Sequence, residues 1–168
     1  GVSVASGTSL SALNIDNYAG ATIANAGTVN SSIANLGNLA NNGIVNGVVS
    51  IGGGTLSGTG TLSSLILSGG SLVAGSSQTV TGDTRQAGGA MLGSITGSGS
   101  GAYFLDGGTL SGSVSSYGAF VQTGGALTAG ANIVAGAFAS TGGTDAGANI
   151  AAPLRAVATG GTILDLSK

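Results

Sequence analysis

The sequence predicts an all-β chain folded as one domain over residues 1–168, a parallel β-solenoid with about 18 residues per coil. Three observations predict it. Glycine pairs begin at Gly53, Gly69, Gly88, Gly107, Gly124, Gly142 and Gly160, at spacings of 16, 19, 19, 17, 18 and 18 residues. Two residues after the second glycine stands a column that is apolar in all but one repeat: Leu56, Leu72, Met91, Leu110, Leu127, Asp145 and Ile163. Finally, Val, Ile, Leu and Ala fall in short runs bounded by Gly, Asn, Ser and Thr, the punctuation of short strands and tight turns.

Composition removes the competing classes. Gly supplies 35 residues, yet mean hydropathy is +0.49 and only 5% of residues are charged, the opposite of a disordered chain. A single proline, Pro153, rules out a collagen helix. A unit of about 18 residues holding two or three short strands cannot bury its own apolar side chains. Coiled so that each turn lies about 4.8 Å above the last, it pairs every strand and stacks like on like. Leu, Ile and Val are then expected as interior ladders, Thr, Ser and Asn as exterior or corner ladders, and Gly at corners that need positive φ.

Taken in order, residues 1–51 form looser Asn/Gly-rich coils in which Ile33, Leu39, Val45 and Ile51 recur every six residues. That beat is the mark of left-handed hexapeptide solenoids and keeps that geometry as an alternative. The drift in coil length, and the failure of the beat after Ile51, favour a right-handed helix with irregular corners. Residues 52–168 form the regular coils marked by glycine pairs. In "GGGTLSGTGTLSSLILSGGSLVAG" (52–75), "TLS" and "LIL" are expected as strands and "GG" as a corner. A second aliphatic column follows at variable phase: Leu62, Val80, Ile95, Val114, Ile133 and Ile150. "AGANIVAG" (129–136) returns as "AGANIAAP" (146–153), and Phe120 and Phe138 each stand four residues before a glycine pair.

The stretch 52–75 resembles the passenger-associated transport repeat of bacterial autotransporters: Gly-Gly-Thr-Leu, Gly-x-Gly, a hydrophobic strand, then Gly-Gly-x-Leu. Ala74-Gly75 stands where that pattern has Pro-Gly, and Leu65-Ile66-Leu67 is more apolar than its usual strand. Weaker echoes occur at 107–116 and 124–133. The resemblance implies a right-handed β-helical passenger exported across a Gram-negative outer membrane, an adhesin or self-associating protein of the cell surface. The absence of cysteine is similar to that family's habit.

Candidate chemistry is sparse. The chain has no His, Glu or Cys, and its carboxylates are Asp16, Asp83, Asp106, Asp145 and Asp165. Only Asp145 and Asp165 lie near in phase, one coil apart, and they are read as surface or corner groups. Asp145 occupies the apolar column, where an unpaired carboxylate is costly; a one-residue slip placing Ala146 inward is the expected escape. Net charge is −2 with three basic residues, too few for a nucleic-acid face, and no apolar run is long enough for a membrane span. No cofactor or metal is expected.

Thr123, Thr141 and Thr159, preceded in the column by Asp106, are expected to form an outward polar ladder. Tyr103 and Tyr117 are expected at the surface, completing a partner-contact set. Phe120 and Phe138, with Phe104 beside them, are weighed as an exposed stacking platform for sugars, and burial of the rings in a stack along the bore is the expected arrangement. These readings describe a non-enzymatic extracellular rod that self-associates, stacks into filaments, or attaches to a host-surface protein or glycan. A polysaccharide-cleaving β-helix enzyme and an ice-binding solenoid are the alternatives.

Overall fold

A computed structural model describes residues 1–98 and 100–157. Among them there is no helix, hence none long and apolar enough to cross a membrane. The chain is a β-solenoid of about eight turns, its parallel sheets built from coils roughly 18 residues apart. Nine short strands stack in one sheet and twelve in the other. At the strand spacing, eight intervals make a rod of about 40 Å.

Each coil presents three short inward-facing runs. The first belongs to the nine-stranded sheet, as in Thr55–Ser57, Ser71–Leu72 and Ala90–Met91. The other two belong to the larger sheet, and the way they are joined varies. In Thr61–Leu67 a single strand passes the corner, and its inward residues jump from Leu62 to Leu65, breaking the alternation. In the next coil the strand divides into Ser77–Val80 and Thr84–Gln86, and in the one after into Ser94–Gly97 and Ala102–Leu105. The result is a three-sided rod with a first face on the smaller sheet and a second and third face on the larger.

The predicted marker is the corner between the third and first faces. The second glycine of each pair, from Gly54 through Gly70, Gly89, Gly108 and Gly125 to Gly143, has positive φ. At Gly108 a Cβ would also stand 2.4 Å from the Gly89 carbonyl oxygen of the coil below. The pair at Gly160 lies outside the described residues. The apolar column after each pair is a single in-register ladder on the first face: Ile23, Leu39, Leu56, Leu72, Met91, Leu110, Leu127 and Asp145. Ile163 lies outside the described residues.

The six-residue beat of Ile33, Leu39, Val45 and Ile51 has a simple origin: all four are buried, and the first three fall on successive faces of a three-sided coil. The second aliphatic column is in fact two. Val45, Leu62 and Val80 share one ladder, whereas Ile95, Val114, Ile133 and Ile150 continue above Gln78, two residues earlier in that strand.

The interior departs from the expected division into apolar inside and polar outside. Asn17, Asn25, Asn35, Asn41, Gln78, Gln86 and Gln122 are all buried. They are tolerated because each finds partners on neighbouring coils. Asn17 Nδ2 donates to Asn35 Oδ1 at 2.6 Å, and Asn25 Nδ2 to Asn41 Oδ1 at 2.8 Å. Asn41 then donates to Gln78 Oε1 at 2.9 Å, two coils up. That reach requires Gly60 in the coil between, where a Cβ would lie 2.4 Å from Asn41 Nδ2.

Candidate functional site: an outward groove on the third face

The third face buries one ladder and exposes another. Its inward ladder runs Ile33, Val49, Leu65, Thr84, Tyr103, Phe120 and Phe138. Phe120 and Phe138 stack in the bore as expected, with ring centroids 5.6 Å apart. Tyr103 joins the same stack, 5.0 Å from Phe120 and nearly parallel to it.

Two of the expected contact residues are therefore not at the surface. Tyr103 is fully buried and Tyr117 is 3% exposed. Each hydroxyl has found an interior partner: Tyr103 donates to Gln86 Oε1 at 2.7 Å, and Tyr117 pairs with Thr84 Oγ1 at 2.7 Å. Tyr117 stands at the corner above Gly97, where a Cβ would press within 3.0 Å of its ring. Burial holds the Tyr103 hydroxyl well above its ordinary pKa, with Tyr117 adding to the effect. Tyr117 is pushed up to about 12, chiefly by burial, with the Asp83 charge contributing and the Thr84 bond opposing.

The expected threonine ladder is outward where it is described. Thr123 and Thr141 are exposed and succeed each other on the corner column, and Thr123 donates to Asp106 Oδ1 at 2.5 Å. Thr159 lies outside the described residues, as does Asp165, so the pairing of Asp145 with Asp165 has no structural counterpart here. Asp145 itself does not slip: it holds register with Leu127, and Ala146 is exposed. Its half-buried carboxylate is satisfied by the amides of Gly147 and Ala148 at 2.9 and 2.7 Å.

The outward ladder of the third face runs Ala34, Ser50, Ile66, Arg85, Phe104, Val121 and Ala139. Between it and the neighbouring corner lies a groove of about 300 Å³ lined by Val48, Ser64, Ile66, Asp83, Arg85 and Phe104, with Leu65 at its floor. Strand alternation puts Ile66 outward because Leu65 and Leu67 on either side are buried, leaving it 38% exposed. Arg85 points outward for the same reason between buried Thr84 and Gln86. Its Nε lies 2.7 Å from Asp106 Oδ2, close enough for an ion pair but off the line of a hydrogen bond, and 64% of its side chain stays open to water. Asp83, at the mouth, accepts from the Ala102 amide through Oδ1 at 2.9 Å.

Asp83, Asp106 and Phe104 are candidates by residue type; Ser64 and Arg85 are not singled out by the sequence pattern. Asp83 lines the groove, and Asp106 stands beside Arg85 in the adjacent coil. Among the described residues no three acidic side chains gather to hold a metal.

The fold and this groove define the class: a three-sided parallel β-solenoid with a small amphipathic depression on one face. No family model, curated protein or solved structure matches the chain.

Proposed function

We propose that this chain is a non-enzymatic extracellular scaffold of a bacterial surface or secreted protein, acting by rigid display and by self-association or attachment to a surface. The observation that carries the reading is the contrast between a tightly bonded interior and continuous outward ladders. Inside, the amides and both buried tyrosine hydroxyls are bonded from coil to coil, which stiffens the rod. Outside, short polar columns repeat in register, such as Thr61, Thr79, Thr96 and Ser115 on the second face. Repetition of one contact at each coil favours extended partners, because many weak contacts act together. The resemblance of residues 52–75 to an autotransporter repeat agrees with this reading and supplies the cell-surface location.

Sedimentation of the purified chain over a concentration series, with a cell-attachment assay, tests it. Concentration-dependent association or saturable attachment supports the scaffold. A protein that stays monomeric at high concentration and binds neither cells nor glycans removes its basis.

A further inference from the structure

We propose that the groove on the third face is a binding subsite for one neutral hexopyranosyl residue of a glycan. This rests on the surface-attachment reading above and names its ligand class. Three observations point to it. First, the groove is amphipathic in the manner of a sugar ring. Phe104, Ile66 and Val48 offer an apolar wall for the C–H face, with Ile66 and Val48 each 38% exposed. Second, unspent polar groups stand around that wall. Asp83 uses only Oδ1 internally, Ser64 Oγ takes part in no hydrogen bond among the described residues, and Arg85 engages Asp106 through Nε, leaving its Nη donors open. A carboxylate, a hydroxyl and a guanidinium together supply the acceptors and donors that vicinal hydroxyls require.

Third, charge and size narrow the class. Asp83 and Asp106 outnumber Arg85 locally, so a uronate or sulfated sugar meets net repulsion and a neutral one does not. At about 300 Å³ the groove is at the small end of ligand sites, room for a single ring with its neighbours running along the open face.

The test is a two-dimensional NMR titration of the folded chain with methyl β-D-glucopyranoside, methyl β-D-galactopyranoside and methyl α-D-mannopyranoside, with methyl β-D-glucuronide as the charged counterpart. At least one neutral glycoside is expected to shift the Ile66, Arg85 and Phe104 resonances saturably, with a dissociation constant of about 1 mM or somewhat above. The glucuronide is expected to bind about tenfold more weakly, or not at all. Phe104→Ala and the conservative Asp83→Asn should each weaken binding about tenfold, while Thr79→Ala on the second face leaves it unchanged. Asp83→Asn keeps an acceptor for the Ala102 amide, so it reports on the ligand even where Phe104→Ala disturbs the fold. No saturable shift from any neutral glycoside overturns the proposal. So do equal binding of the glucuronide, shifts that survive both variants, or groove shifts that follow protein concentration alone, which would make a second copy the occupant. A silent titration from a protein that still associates or attaches to cells defeats the subsite and leaves the scaffold standing.

Discussion

Replacing Tyr103 by Phe isolates the worth of one interior hydrogen bond. The ring is fully buried and stacked 5.0 Å from Phe120, and phenylalanine fills the same space in the same stack. Only the hydroxyl is lost, and with it the 2.7 Å bond to Gln86 Oε1. Gln86 is itself fully buried, held by its Nε2 donating to the Thr109 carbonyl at 2.8 Å, so its amide oxygen cannot turn to water. An orphaned buried acceptor costs about 1–3 kcal/mol. Taking about 2 kcal/mol, the melting temperature should fall by about 4–8 °C in a chain of this size.

The second half of the test restores what the first removes. The register neighbours of Gln86 are Leu67 below and Leu105 above, so leucine at this position continues an existing column. In the double variant Tyr103→Phe with Gln86→Leu the orphan disappears. What remains lost are the Nε2 bonds to the Thr109 and Gly89 carbonyls. A double-mutant cycle by thermal and guanidinium unfolding should therefore show a coupling of about 1 kcal/mol or more between the two sites. A Tyr103→Phe protein melting within about 1 °C of the parent, or strictly additive substitutions, would refute the claim that this bond is a buried and necessary one.

Three further outcomes follow from the same structure. Phe120→Ala removes the middle ring of the Tyr103, Phe120 and Phe138 stack and should cost about 3–5 kcal/mol in guanidinium unfolding, the largest loss of any single interior truncation proposed here. Gly108→Ala places a Cβ at φ +74 and 2.4 Å from a backbone oxygen, and should destabilise by more than about 1 kcal/mol, read as a drop in melting temperature. Alkaline pH should weaken the fold. Both buried tyrosines keep their protons above the value of about 10 at which the unfolded chain releases them, Tyr117 to about 12. Stability is thus complete below about pH 10 and declines toward pH 12, which melting curves across that window will check, with tyrosinate absorbance followed in a Tyr18→Phe background because Tyr18 is exposed.

Much of the fold was legible because one corner keeps its length through the coils marked by glycine pairs. Leu65 to Leu72, Thr84 to Met91, Tyr103 to Leu110, Phe120 to Leu127 and Phe138 to Asp145 are each seven residues apart, linking the third-face ladder to the first-face ladder. A fixed path keeps the glycine pair and the following Leu in step, so the eye finds them. The other corners absorb the drift in coil length, which is why the second aliphatic column seemed to wander between Val80 and Ile95. The interior amides were not legible: Asn17 and Asn35 look like corner residues by type, and only their bond across 18 positions makes burial affordable. Tyr103 and Tyr117 were misplaced for the same reason, since their partners lie 17 and 33 positions away. Asp145 was expected to shift register because its rescue, two amides of the following turn, is a local turn geometry that column counting does not register.

The groove was invisible in the sequence because it is made by a mismatch between coils. The inward residues that bracket the corner between the second and third faces are Leu62 and Leu65 in one coil, Val80 and Thr84 in the next, and Gly97 and Tyr103 in the one above. The corner widens step by step, turning an uninterrupted strand into two. Where a short coil lies beneath longer ones their edges cannot coincide, and the wall recedes over Val48 and Ser64 while Asp83 is carried out on the longer connection. Uniform coils would give a flat face with nothing to distinguish one level from another. The irregularity therefore supplies the one thing a perfect repeat cannot, an address along the rod, and it places the exposed Arg85 and the half-buried Phe104 at that address.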